Sequence, residues 1–205
     1  MAQASNLQRL DTRVTKRSTM LLEQSVLRPR HDKVSLGAFA LLFGEIIRYS
    51  QNRVLGIQDL EGKLNEIGKR VGLRVFELLM LREKNVHRET RVLPTLMFIN
   101  TVVWKALFDK QADSLGRSTE NEDEYMITDN EPSIIKYISV PKEMASFSPG
   151  AFLAGIVEAI AESCQCPARV TSHLVPADGL PLKTVILLKF SQQVMEREKR
   201  LDAGK

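Results

Sequence analysis

The sequence predicts an α+β fold, in which a four-stranded antiparallel sheet carries about four helices on one face in a two-layer domain. Three helical segments with apolar positions spaced three and four residues apart come first along the chain. Two pairs of β-like segments then follow, separated by one further helix, and the connections are short. Short connections between successive strands favour antiparallel pairing, so the chain is expected to form a single domain over residues 34–205.

The composition indicates a folded protein of a reducing compartment. Hydrophobic residues make up 43% of the 205 residues and charged residues 26%. No apolar run approaches the roughly 18 residues of a membrane span, and the N-terminus lacks the apolar middle of a secretory signal. Cys164 and Cys166 are too close for an easy disulfide and are expected to be inert thiols, which predicts a cytosolic location.

The net charge is concentrated in residues 1–33. This segment has seven basic and three acidic side chains, so its net charge of +4 equals that of the whole chain. Its few apolar residues predict a flexible basic arm. Such an arm is either a solvated tail or a contact for an anionic membrane or an acidic protein surface. Nucleic acid is not an expected partner, because a nucleic-acid-binding protein usually carries its basic patch on the folded domain.

The first helix is predicted over residues 34–54, with Ser35 as its N-cap. Its apolar residues form a stripe but also spread around the remaining sides. A helix that is apolar on nearly all sides is buried on nearly all sides, and in a small chain one side can be covered by another subunit. The residues expected at this subunit interface are Phe39, Leu42, Phe43 and Ile46.

The second helix, which begins near Asp59, contains two glycines one turn apart, Gly68 and Gly72. Each glycine costs a helix up to about 1 kcal/mol relative to alanine, so the pair indicates that another backbone approaches closely. The neighbouring Lys69 and Arg70 exclude a membrane dimerisation motif. The helix ends in a connector, in which Arg88 and Glu89 are expected to bridge two helix ends.

The third helix is predicted over residues 92–108, capped by Thr90 and with Pro94 in its first turn. Strands are then predicted over residues 124–128 and 134–140. Ser148 and Pro149 open a fourth helix, whose small residues, Gly155 among them, again allow close packing. Two further strands are predicted over 168–175 and 182–190, and residues 191–205 read as a charged, exposed helix.

Residue patterns typical of catalysis are scarce, so the sequence favours a binding or assembly module over an enzyme. It contains no Walker phosphate loop, no G-x-S-x-G and no H-E-x-x-H. A Cys–His pair could be drawn from Cys164 or Cys166 and His173, but no third group is evident to orient the base. The three histidines are far apart in the sequence. The expectation is therefore no catalytic residue, no cofactor and no metal.

Several segments together resemble one family. The run IGKRVGLRVFELLMLREKNVHRET, residues 67–90, combines the glycine pair with the Arg88-Glu89-Thr90 turn. WKALF at 104–108, EPSIIKYISVPKE at 131–143 and AFLAGIVEAI at 151–160 extend the likeness. These motifs resemble the small Bet-three-like subunits of the transport protein particle, TRAPP, and the likeness covers about residues 34–190.

This resemblance implies a fold with four helices on one side of a four-stranded antiparallel sheet. It also implies that the chain pairs through its helices with other TRAPP subunits. The assembled core would tether vesicles in endoplasmic reticulum-to-Golgi and Golgi traffic, and would exchange nucleotide on a Rab-type GTPase. The chain alone would not be an enzyme, and it would lie in the cytoplasm, peripheral to endoplasmic reticulum and Golgi membranes.

The chain departs from the family at one position. Lys84 lies at about the place where a palmitoylated relative has a cysteine, so acylation is not expected here. An alternative function is a small-ligand sensor, because related helix-plus-sheet folds can enclose lipid or haem. His87 would be its one attractive ligand, although it lies in the connector between two helices.

Overall fold

The computed structural model describes residues 34–82, 89–144, 146–177 and 180–203. The predicted arm 1–33 lies outside these residues, and so do Lys84, His87 and Arg88. The helices are α1 (Leu36–Gln51), α2 (Ile57–Arg82), α3 (Val92–Phe98), α4 (Trp104–Phe108), α5 (Ala151–Ser163) and α6 (Gln192–Ala203), and the strands are β1 (Ser114–Arg117), β2 (Glu124–Asp129), β3 (Ala168–Ala177) and β4 (Leu180–Phe190). A π-helical turn, Ile99–Val103, joins α3 to α4, and a short 3-10 helix spans Lys142–Met144.

The four strands form one antiparallel sheet in the order β1-β2-β4-β3. Along the two central strands, Ile127 lies opposite Ile186 and both side chains are fully buried. Their sequence neighbours point to the other face, where Glu124 pairs with Lys189. One face of the sheet therefore packs on the helical layer, and the predicted α+β class is confirmed.

Helix α5 occupies the centre of the fold, between α2 and the sheet. Most of its residues are small or apolar, and ten of its thirteen residues are buried. A helix that is apolar on nearly all sides can only be stable where it is covered on nearly all sides. Since α2 crosses one side of α5 and β3 lies along another, α5 fixes the position of both layers.

One predicted strand is wrong. Residues 133–137 form consecutive turns and 138–140 are irregular; the amide of Ile135 donates to the carbonyl of Pro132 and that of Ile138 to the carbonyl of Ile135. Ile134 is buried in the core, so the segment packs its apolar side chains without joining the sheet. The fourth strand is instead β1, a segment for which the sequence predicts no strand. It pairs along its whole length with β2 at the edge of the sheet.

The C-terminal helix α6 is charged, as its sequence predicts, and Val194 is its one buried residue among those described. None of the described helices is both long and apolar enough to cross a membrane.

Candidate subunit interface

Helix α1 has two apolar sides, and the described part of the chain packs against one of them. On the inner side, the Phe43 ring lies 5.9 Å from that of Phe39 and 5.2 Å from that of Phe152 in α5. Phe39 and Ile46 are partly buried and pack against the same core. This side attaches α1 to the central helix of the fold.

The outer side of α1 faces away from the chain. Leu41 is 76% exposed, Leu42 61% and Tyr49 58%. Gly44 lies between them in sequence, and a Cβ atom built on it would meet no other atom within 4 Å. Large apolar side chains beside a small residue leave room for another helix to approach closely. The outer side therefore has the composition of a helix-packing surface, and the described residues leave it exposed.

Exposed apolar side chains continue on the next two helices. A monomeric protein rarely exposes many large apolar residues on neighbouring elements, because their burial is worth about 25 cal/mol per Å². The exposed apolar residues of α2 and α3 are Leu73, Leu78, Leu81, Leu93 and Met97. We call these residues, together with Leu41, Leu42 and Tyr49, the apolar helix surface.

The sequence-predicted interface overlaps this surface at one residue. Of the four residues named from the sequence, Leu42 is exposed, whereas Phe43 is only 1% exposed and belongs to the core. Phe43 is therefore a wrong choice for testing an interface, since its substitution would disturb folding. Leu41 and Tyr49 are not in that set because they lie off the main apolar stripe, and this position off the stripe agrees with their exposure.

The three glycines named from the sequence lie together where α2 crosses α5. A Cβ atom on Gly68 would lie 2.1 Å from the carbonyl oxygen of Phe152, and one on Gly72 would lie 2.7 Å from that of Ile156. From the other helix, a Cβ atom on Gly155 would lie 2.1 Å from the carbonyl oxygen of Asn65. No side chain fits at these distances, so the two helices touch through their backbones.

The Arg-Glu-Thr motif is described only in part, because Arg88 lies outside the described residues. Glu89 is half-buried and Thr90 is exposed. The sequence predicts Thr90 as the N-cap of α3, and this prediction is wrong. The N-cap is Arg91, and its side chain makes no capping hydrogen bond. The carbonyl oxygen of Thr90 instead accepts a hydrogen bond from the guanidinium of Arg197 at 2.7 Å. This part of the motif therefore contacts α6.

Arg197 links three segments through one guanidinium. Besides Thr90, it donates to the carbonyl oxygen of Gln165 at 2.7 Å, and its Nη2 lies 3.2 Å from the Sγ of Cys166. Arg91 adds ion pairs to Glu198, at 3.1 Å, and to Asp202. The pKa of Arg91 is raised, chiefly by its hydrogen bond to Asp202. Helix α6 is thus docked largely by polar contacts.

The potentially reactive side chains named from the sequence do not form a cluster. Cys164 and Cys166 are buried, whereas His173 is exposed and its Nε2 lies 3.0 Å from the hydroxyl of Thr171. Within the described part of the chain, no group of three His, Cys, Asp or Glu residues could hold a metal ion. The apolar helix surface is therefore taken as the candidate site.

Comparison with known proteins assigns the chain to a family. The family described as Transport protein particle (TRAPP) component matches residues 39–191, which is most of the chain. The chain belongs to this family, as the sequence motifs had indicated. A trafficking protein particle complex subunit 5 from Dictyostelium discoideum is 50% identical over 166 residues, covering 80% of this chain and 89% of the relative.

The same subunit type recurs among the other relatives. The trafficking protein particle complex subunit 5 of Homo sapiens is 40% identical over 193 residues, covering 94% of this chain and 99% of the human protein. Within the family, both of these relatives are named as subunit 5. A crystal structure of subunit 3 from Naegleria fowleri, covalently bound to palmitic acid, has a TM-score of 0.66 at 15% identity, covering 77% of this chain and 95% of that one. It shares the fold.

Proposed function

We propose that this chain is a structural core subunit of a TRAPP vesicle-tethering complex and binds a neighbouring subunit through the apolar helix surface. The observation that carries the proposal is the outer side of α1, where Leu41, Leu42 and Tyr49 are exposed. Family membership supports it, because the similar proteins are named as subunits of a trafficking particle complex. Burying several such side chains together supplies the driving force of a permanent interface.

The test places a charge on the outer side of α1 without touching the core. Leu42→Asp should abolish co-purification with the other TRAPP subunits, because an unpaired carboxylate would be buried in the contact. Tyr137→Asp is the matched control, since Tyr137 is 60% exposed but lies in the turns after β2. Co-purification of Leu42→Asp at wild-type yield would place the interface elsewhere.

Within the complex, we expect the chain to contribute to nucleotide exchange on a Rab-type GTPase without catalysing exchange alone. What supports this is the family membership, together with the two buried cysteines and the exposed His173, none of which is placed for chemistry. Release of a fluorescent nucleotide should be accelerated by the assembled core and not by the purified chain. Acceleration by the chain alone would contradict this part of the proposal.

The proposed location is the cytoplasm, peripheral to endoplasmic reticulum and Golgi membranes, where such a complex would act in transport between these compartments. A tagged full-length chain should fractionate with the membranes of both compartments and be released by salt. Leu42→Asp should become diffuse if the location depends on assembly, whereas Tyr137→Asp should behave as the unaltered chain does.

A further inference from the structure

Strand β3 forms one edge of the sheet, and no other described strand pairs with its outer side. The amide of Ser191 donates to the carbonyl of Pro167, and Ala168 lies opposite Phe190. Since hydrogen-bonded positions alternate along an antiparallel pair, Val170 and Ser172 turn their backbone N–H and C=O groups away from β4. Among the described residues these groups have no backbone partner. An open edge of this kind readily accepts another extended segment.

A groove runs beside this edge. Its volume is about 580 Å³, and five consecutive residues of β3, from Arg169 to His173, line one side. Gly62, Ala151 and Ala154 are among the lining residues of α2 and α5, and these small side chains leave space next to the strand. A second hollow of about 540 Å³ continues past Gln58 and Glu61 to Asp59. The groove has room for an extended backbone and for long side chains at its helical wall.

The helical wall of the groove is acidic. It carries Asp59, Glu61 and Glu158, and Lys69 neutralises Glu158 at 2.8 Å. One oxygen of Glu61 accepts the amide of Ser148 at 2.7 Å, and Asp59 has no ion-pair partner among the described residues. Arg169 is the one cation in the lining, and it lies on the strand opposite Lys189, away from the helices. Cationic side chains would therefore be favoured at this wall.

This chain contains a segment with the matching chemistry. Residues 12–19, TRVTKRST, carry three basic side chains and four β-branched ones, which favour an extended conformation. Fourteen residues separate this segment from Val34, enough to reach ~45 Å when extended, compared with a domain diameter of roughly 40 Å. We propose that residues 12–19 add to the edge of β3 as a fifth strand and place Arg13 and Arg17, which share one face of a strand, near the acidic wall.

The test measures hydrogen exchange of the Val170 and Ser172 amides in the full chain. With the segment in place, both amides should exchange about tenfold more slowly than in the variant Arg13→Gln/Lys16→Gln/Arg17→Gln. High salt should reduce the difference, because exposed charges are screened. The control is Arg28→Gln/Arg30→Gln/Lys33→Gln, which removes the same charge outside the segment and should leave both amides protected.

A change on the groove side makes the test independent of the arm. Asp59→Asn neutralises a wall carboxylate at an exposed position and should speed exchange of both amides several-fold, whereas Glu77→Gln, elsewhere on α2, should not. Equal exchange in the unaltered chain and the arm variant would overturn the proposal. If the two amides became protected only when partner subunits were added, the edge of β3 would bind a partner. If they became protected only when anionic vesicles were added, the arm would bind a membrane. Either result would also overturn the proposal.

Discussion

The indole Nε1 of Trp104 donates a hydrogen bond to the Oδ2 of Asp129 at 3.2 Å, deep in the core. Asp129 is only 2% exposed, and its other oxygen accepts from Lys110 and from the amide of Glu131. One carboxylate thus joins α4, the end of β2 and the turns that follow. A buried carboxylate is tolerated here because every oxygen has a donor.

Replacing Asp129 by alanine should therefore destabilise the fold. The indole N–H would be left buried without an acceptor, at a cost of about 1–3 kcal/mol. Urea unfolding of the two proteins measures the difference. Asp113→Ala is the control, because that exposed carboxylate makes a single bond to the amide of Asn130 and its loss should cost less. If both substitutions lowered the free energy of unfolding equally, the buried network of Asp129 would contribute no additional stability.

Two glycine substitutions, one inside the backbone contact between α2 and α5 and one outside it, should change stability in opposite directions. Gly155→Ala should destabilise by about 1–3 kcal/mol, because its methyl group would overlap the carbonyl of Asn65. Gly62→Ala should stabilise by up to about 1 kcal/mol, because Gly62 is helical and a Cβ there meets nothing within 4 Å. Both are measured by denaturant unfolding, and a neutral Gly155→Ala would contradict the crossing geometry.

Two residues after the end of helix α5, Gln165 lies in the left-handed region, at φ 58°. The amide of Cys166 donates back to the carbonyl of Ala161, which is the pattern that usually has glycine at the left-handed position. Gln165→Gly should raise stability by about 0.5–1 kcal/mol, since relief of strain exceeds the entropy lost by glycine. A rise in Tm would agree. Asp109→Gly, at φ 59°, should gain less, because aspartate tolerates this conformation better.

Arg197→Ala should loosen α6 while leaving the rest of the chain folded. The carbonyl groups of Thr90 and Gln165 would lose a charged donor, and α6 buries little apolar surface to compensate. We expect a local loss of about 1–3 kcal/mol, seen as faster hydrogen exchange in α6 with little change in α5. Arg197→Lys should not restore protection, because an ammonium cannot reach both carbonyls as a planar fork does.

The pair of Glu124 and Lys189 predicts a pH dependence of stability. A hydrogen bond from Asn121, and then the ammonium of Lys189 at 2.9 Å, hold the pKa of Glu124 below its ordinary value. A carboxyl with a lowered folded pKa contributes stability above its unfolded pKa and loses it as the pH falls through the folded value. Below about pH 4.5, the free energy of unfolding should therefore fall less steeply with decreasing pH for Glu124→Gln than for the unaltered chain.

The fold could be predicted from the sequence largely because its helices carry clear apolar periodicity. Strand β1 could not, since Leu115 is the one large apolar residue in its four and its pairing depends on β2. The π-helical turn at Ile99–Val103 has no periodic signal of its own. The glycines of α2 and α5 indicated close packing, but their mutual contact depends on the angle at which the helices cross.

The candidate interface was predictable as an element but not residue by residue. Helix α1 is apolar on nearly all sides, so periodicity alone does not say whether Phe43 or Leu42 faces the core. The structure decides this by stacking Phe43 between Phe39 and Phe152. Once that side is fixed, the 3.6-residue repeat carries Leu41 and Leu42 to the other side.

Helix α1 closes the core with one side and exposes leucines on the other, so under the proposed function folding and assembly share one element. A partner that binds only the folded state stabilises it by mass action. The amount of this chain in a cell should therefore follow the amount of its partner, because unassembled copies open more often and are degraded. Halving synthesis of the neighbouring subunit should lower the level of this chain with no change in its messenger RNA, which would keep the two in fixed stoichiometry.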